Sequence, residues 1–188
     1  KGGRAPGSTA GAFRQPTGIF YSTHAQTYGW QPAKENGQAS GTVGEAKRLE
    51  GIKIYLKNQE VSGDINYRAY VQTYGWRDWV KNGQVSGTTG EAKRLEAIQI
   101  TLSGEMGQKY DVYYRVHAQS YGWLGWAKNG EDAGSEGKEV KGIQIQLMAK
   151  GAAAPEGTGK QPFVTVNYTL TGSKMVIDET GVVDFGKI

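Results

Sequence analysis

The chain contains no cysteine, which removes structural disulfides, thiol nucleophiles and Cys-ligated zinc from consideration. No apolar run approaches the length that a membrane-spanning helix needs, so membrane insertion is not expected. Charge of one sign is scarce as well. The 22 basic residues are offset by 18 acidic ones, for a net charge of +4. They alternate with glutamates, as in Glu45-Ala46-Lys47-Arg48-Leu49-Glu50, and form no stripe of the kind that grips nucleic acid. That pattern suits a solvated face of mixed sign, and no nucleic-acid partner is expected. There is no Gly-x-Ser-x-Gly elbow and no His-Glu-x-x-His pair, and the Gly-Thr-Thr-Gly loop at 87–90 lacks the Lys-Ser or Lys-Thr of a phosphate-binding loop.

What the chain has instead is repetition. Gln26-Thr27-Tyr28-Gly29-Trp30 returns as Gln72-Thr73-Tyr74-Gly75-Trp76 and as Gln119-Ser120-Tyr121-Gly122-Trp123, steps of 46 and 47 residues. Each phrase is followed by Asn-Gly, at 36–37, 82–83 and 129–130. Each unit closes on Ile-x-Ile-x-Leu, at 52–56, 98–102 and 143–147. A period in this range marks a repeat architecture. With 29 glycines and 11% aromatics, the composition favours short strands and tight turns.

The opening segment of each unit alternates with a period of two, as a half-buried strand does. Ile19, Tyr21, Thr23 and Ala25 form an inward set, matched by Ile65, Tyr67, Ala69 and Val71 and by Val112, Tyr114, Val116 and Ala118. The closing strands would point Ile52, Ile54 and Leu56 and their equivalents inward. Between them, Trp79 to Gln84 reads as a short hairpin turning on Asn82-Gly83. The Glu91–Ala97 stretch reads as a loop or strand start, allowing at most one helical turn.

These signals divide the chain into a flexible arm at 1–17, a three-repeat all-β domain at 18–150 (units 18–63, 64–110 and 111–150), and a Gly/Ala/Pro linker at 151–162. Residues 163–188 form a β-strand tail or the start of a further domain. The beginning at Lys1, without Met, suggests a fragment of a longer protein. A unit of this size cannot bury its own apolar face, so three of them imply pseudo-threefold closure. A β-prism-like arrangement is preferred, with a β-trefoil as the alternative.

The tryptophans Trp30, Trp76 and Trp123 are expected to be a core trio near the axis. Trp79 and Trp126 differ, because the first unit has Ala33 in their place. A packed core position would resist that exchange at a cost of about 3–5 kcal/mol, so these two rings are expected at the periphery as ligand platforms. The outward face of the opening strand carries His24, Tyr70 and His117 at one equivalent position. Gln26, Gln72 and Gln119 lie two residues on, and Ser22, Arg68 and Arg115 two residues before. Such a row suits hydrogen bonding to sugar hydroxyls beside a stacking ring; a solvated polar face is the alternative. The two histidines lie in different units, so no metal site is expected, and no cofactor. The carboxylates that stand out, Glu45/Glu91 and Glu50/Glu96, recur with the repeat, whereas a catalytic pair is a single constellation. No enzyme is expected.

The run Tyr67-Arg-Ala-Tyr-Val-Gln-Thr-Tyr-Gly-Trp76-Arg-Asp-Trp79-Val-Lys-Asn-Gly83, continued by Gly87-Thr-Thr-Gly90-Glu-Ala-Lys-Arg-Leu-Glu-Ala-Ile98, resembles the clostridial hydrophobic repeat (ChW), a family named for its tryptophan. The resemblance spans residues 18–150. It implies a secreted or cell-surface protein of a Gram-positive bacterium, acting in adhesion. The expected function is non-catalytic binding of a glycan or cell-wall polysaccharide, with binding of a host surface protein or another partner protein, or a structural spacer role for another domain, as the alternatives. The family supplies no established binding residues. The first unit departs from the pattern at Ala33, and the third at Gly137-Lys-Glu-Val-Lys-Gly142.

Overall fold

A computed structural model describes residues 15–165 in full and the main chain of 167–171 and 174–178. Most of the expected arm, residues 1–14, and the end of the tail from residue 179 lie outside the described residues. Thr17, the last residue of that arm, is tied to the body. Its hydroxyl donates to Asn58 O at 2.8 Å and accepts from Glu60 N–H at 3.1 Å.

The first repeat supplies β1 (Gly18–Ala25), β2 (Gly29–Trp30), β3 (Lys34–Glu35), β4 (Ser40–Gly41) and β5 (Leu49–Lys57). The second supplies β6 (Ile65–Val71), β7 (Gly75–Trp76), β8 (Val80–Lys81), β9 (Ser86–Gly87) and β10 (Leu95–Leu102). After the short helix α1 (Glu105–Lys109), the third supplies β11 (Tyr110–Ala118), β12 (Gly122–Trp123), β13 (Ala127–Lys128), β14 (Ala133–Ser135) and β15 (Val140–Ala149). β16 (Phe163–Val164) follows, and β17 (Asn167–Thr171) pairs with β18 (Lys174–Asp178) as a separate hairpin. The domain is all-β apart from α1, which the sequence reading did not anticipate.

Each repeat pairs its opening and closing strands antiparallel: β1 with β5, β6 with β10, and β11 with β15. The alternation in sequence becomes alternation in burial, as β6 shows by burying Ile65, Tyr67, Ala69 and Val71 and leaving Asn66, Arg68 and Tyr70 half-exposed. All three ladders carry a β-bulge at the same place. The bulged residues are Glu50, Glu96 and Lys141, so the third repeat reverses the sign of charge at that position.

The Asn82-Gly83 turn forms, with Gln84 N–H donating to Lys81 O at 3.1 Å, but β9 does not fold back to pair with β8, which corrects the expected hairpin at 79–84. Instead β8 pairs with β6, and the strands after the three Asn-Gly turns leave their own unit. β4 pairs with β15 of the third repeat, β9 with β5 of the first, and β14 with β10 of the second. Each repeat thus lends a strand to the sheet of another, in a closed cycle. The Asn-Gly turns carry the chain across: Gly37, Gly83 and Gly130 donate their N–H groups to Ile145, Ile54 and Ile100 of the neighbouring repeat at 2.7–2.8 Å. Gly87 permits this close approach. At its φ of 95°, a Cβ would lie 2.4 Å from Glu50 O, deep inside van der Waals contact. The three resulting sheets form no closed barrel among the described residues.

The largest side chains of the core are tyrosines, not tryptophans. Tyr21, Tyr67 and Tyr114 are fully buried. A buried phenol needs a partner, and these donate to the main-chain oxygens of Gln38, Gln84 and Glu131. Burial pushes the Tyr21 hydroxyl pKa up to about 12. Closer to the axis, Leu49 and Ile52 meet Leu95 and Ile98 and their counterparts Val140 and Ile143. The expected Trp30/Trp76/Trp123 core trio is therefore corrected: these rings are half-buried on the outer face. The reason is register, since Trp30 pairs with the outward residue His24, Trp76 with Tyr70 and Trp123 with His117. Cross-strand partners share a face.

Candidate functional site

Each outer face is built on that cross-strand pair. The rings of His24 and Trp30, Tyr70 and Trp76, and His117 and Trp123 meet edge-on at 5.3–5.4 Å. In the second repeat the Arg68 guanidinium lies between two indoles, 4.9 Å from the ring centres of both Trp76 and Trp79. Arg115 repeats this in the third, 4.9 Å from Trp123 and Trp126. Each contact is worth about 0.5–2 kcal/mol, and the Trp–Arg–Trp stack fixes the orientation of the outer ring. The guanidinium is fixed in turn by a carboxamide across the strand pair: Arg68 Nε donates to Gln99 Oε1 at 2.7 Å and Arg115 Nε to Gln144 Oε1 at 2.6 Å.

The first repeat has Ser22 in place of the arginine and Ala33 in place of the second tryptophan. Lys53, opposite Ser22, puts its Nζ 4.0 Å from the Trp30 ring centre instead. Gln26, Gln72 and Gln119 sit half-buried at the end of each row, where their N–H groups donate to Arg48, Arg94 and Glu139 O. All ten residues proposed for the site thus lie on outer faces, distributed over three separate patches. The sequence reading missed three residues of the closing strands as parts of these patches: Gln99 and Gln144, directly opposite Arg68 and Arg115, and Lys53, opposite Ser22.

The electrostatics differ between patches. Glu50 at the first bulge brings Oε1 to 3.2 Å from His24 Nδ1 and Oε2 to 3.1 Å from Arg48 Nε. In the third repeat the bulge residue is Lys141, and His117 Nδ1 is buried with no hydrogen-bond partner among the described residues. Burial, then Lys141 and Lys160, lower the His117 pKa and favour the neutral ring.

The patches also differ in cover. Trp79 is 45% exposed. Residues 151–162, expected as a linker, run across the third repeat as a strap. The Trp126 indole N–H donates to Glu156 O at 3.1 Å, and Gly157 lies so near that a Cβ there would sit 3.0 Å from Trp126 Cδ1. Further along, the Thr158 hydroxyl donates to Trp123 O and Lys160 Nζ to Tyr121 O. Tyr113, which alternates with the inward residues Val112 and Tyr114, is nonetheless buried under the strap's beginning and donates to Ala152 O at 2.9 Å.

Three strand-exchanging sheets with an aromatic–cation patch on each define a tandem-repeat all-β module. Residues 24–58, 70–104 and 117–148 match the Clostridial hydrophobic W (ChW) family, and the chain belongs to that family as three tandem repeats. The matches begin at His24, Tyr70 and His117, the outward residues that pair with the tryptophans. Neither curated proteins nor solved structures provide a match to this chain.

Proposed function

We propose that this chain is a non-catalytic binding module of an extracellular or cell-surface bacterial protein, and that it holds a glycan or cell-wall polymer on the outer face of the second repeat. The observation that carries the reading is Trp79, a ring held by the Arg68 guanidinium yet 45% open to solvent. A pre-oriented aromatic surface stacks on a sugar ring without first losing side-chain freedom, and Arg68 and Tyr70 on β6, with Gln72 just past its end, stand ready to bond its hydroxyls. The first patch lacks the second tryptophan and the third is strapped over, so one patch dominates. The non-catalytic reading is supported by the buried carboxylates, which are engaged in structural contacts: Glu50 and Glu96 at bulges and Asp111 between Lys128 and Lys150.

A glycan array followed by calorimetry tests it. Trp79→Ala should weaken binding by about tenfold or more, equal to at least 1.4 kcal/mol. Unchanged affinity in that variant would discard the platform. Polypeptide recognition has one specific observation in its favour: the third repeat already holds an extended chain.

A further inference from the structure

We propose that the second repeat carries an open groove that docks an extended peptide segment of a partner protein along the free edge of β9. This site is adjacent to the Trp79 platform and does not depend on the glycan reading.

The third repeat shows the groove filled. There the strap's Gln161 O accepts from Gly125 N–H at 3.0 Å, Pro162 O from Gly134 N–H at 3.0 Å, and Val164 O from Glu136 N–H at 3.3 Å. β16 completes the contact as a parallel neighbour of β14, with Phe163 beside Gly134 and Val164 beside Ser135. Beneath this chain Leu124 and Ala127 are fully buried. The arrangement is strand addition to a sheet edge, in which main-chain bonds supply affinity and side-chain pockets supply selectivity.

The second repeat has the corresponding groove with no occupant among the described residues, and Arg77 and Val80 stand there in the places of Leu124 and Ala127. A cleft of about 280 Å³ lies between Trp76–Asp78 and Val85–Gly87. β9 pairs with β5 on one side and ends its sheet on the other among the described residues. Gly87 faces Gly51 across the ladder as Gly134 faces Ala97, so its N–H is directed to the open side. Asp78 and Thr89 occupy the places of the donors Gly125 and Glu136. Val80, half-exposed, and Val85, 43% exposed, supply an apolar floor. The first repeat is unsuited to this role: Pro32 has no N–H to donate, and Lys34 and Ala39 replace the two valines.

The second groove also selects its guest. At Gly125 a Cβ would lie 1.8 Å from Lys160 O. Asp78 has both a Cβ and a carboxylate at the equivalent place, so the strap of another copy of this chain cannot follow its own path there. A guest that passes Asp78 must offer it a cation in place of a carbonyl. The partner segment is therefore extended, parallel to β9, with a lysine or arginine opposite Asp78 and an apolar side chain on Val80 and Val85.

The test is to pan a phage-displayed library of random peptides on the full chain and to measure enriched peptides, made synthetically, by fluorescence anisotropy. Enriched sequences should share a basic residue close to an apolar one. Their affinity should fall about tenfold or more in Val85→Lys, a change at an exposed position that leaves the fold intact, while Trp79→Ala changes it less than about twofold. A labelled peptide of residues 156–165 should bind Asp78→Gly and not the unaltered chain. Failure to enrich any sequence, binding indifferent to Val85→Lys, or no gain in Asp78→Gly would each overturn the groove. Because the platform depends on Trp79 and the groove on Val85, either can fail alone.

Discussion

The indole N–H of Trp126 donates to Glu156 O at 3.1 Å, so the ring that stays open as Trp79 in the second repeat is held shut in the third. Gly157 makes this possible, with room for no Cβ beyond 3.0 Å from the indole. Gly157→Val should displace the strap locally. Acrylamide quenching of tryptophan fluorescence should rise in the full-length variant while the far-ultraviolet dichroism stays unchanged.

His117 reports on the same strap through charge. Burial, Lys141 and Lys160 together lower its pKa, so Lys160→Gln should shift the imidazole titration upward in an NMR experiment. The unfolded chain binds a proton at this site more readily than the folded one. This histidine's contribution to stability is therefore complete above the ordinary histidine pKa, begins to fall as pH drops through that value and is lost once pH has passed below the lowered pKa of the folded state. In Lys160→Gln that loss should shrink.

Asp111 is the carboxylate most strongly held. Burial opposes its ionisation. The opposition is outweighed by Asn129 Nδ2 at 2.8 Å, Gly151 N–H at 2.9 Å and Lys150 Nζ at 3.0 Å, so its pKa lies far below the usual carboxylate range. A depressed carboxylate stabilises the fold above the unfolded-state pKa, and that stabilisation drains away as pH falls below about 5. Asp111→Asn should cost about 2–3 kcal/mol in urea denaturation at neutral pH, and the difference from the parent chain should narrow toward pH 2.

The inversion of tyrosine and tryptophan roles has a direct check. Tyr67 is fully buried, donates to Gln84 O and accepts from Ile54 N–H at 3.1 Å. Tyr67→Phe strands that amide and should cost about 1–3 kcal/mol. Tyr67→Ala should cost about 3–5 kcal/mol, and more than Trp30→Ala, since Trp30 keeps part of its surface in water. Equal losses in the two alanine variants would contradict the placement of these rings.

Why the tyrosines were legible as inward residues and the tryptophans were not is a matter of register. Tyr21, Tyr67 and Tyr114 lie inside a run with a period of two, where one inward neighbour fixes the rest. Trp30 comes after a turn, through Thr27 at φ 73° and Gly29 at φ 70°, and a turn of unknown geometry breaks the count. Its pairing with His24 decides the face, and pairing is not written in a periodicity. The same gap hid Gln99 and Gln144, which matter only because they lie across the ladder from Arg68 and Arg115.

The outward row and the peripheral position of Trp79 were readable from the sequence, the latter because Ala33 broke the pattern. The strap was not. Gly151 to Gly159 has the composition of a linker, yet the small residue at Gly157 is what lets the chain lie against an indole. The two-residue strands were equally opaque, because nothing local to Ser86-Gly87 says that its partner lies in the preceding repeat.

That exchange of strands sets the copy number. With β4, β9 and β14 each lodged in another repeat's sheet, every acceptor position on the three long pairs is taken once. A fourth copy duplicated into this chain would bring both a strand to give and a sheet edge to fill, and would find every existing partner already taken, so it could enter only by opening the cycle. Growth by single repeats is thereby discouraged, and further copies that leave the cycle intact would have to assemble a ring of their own.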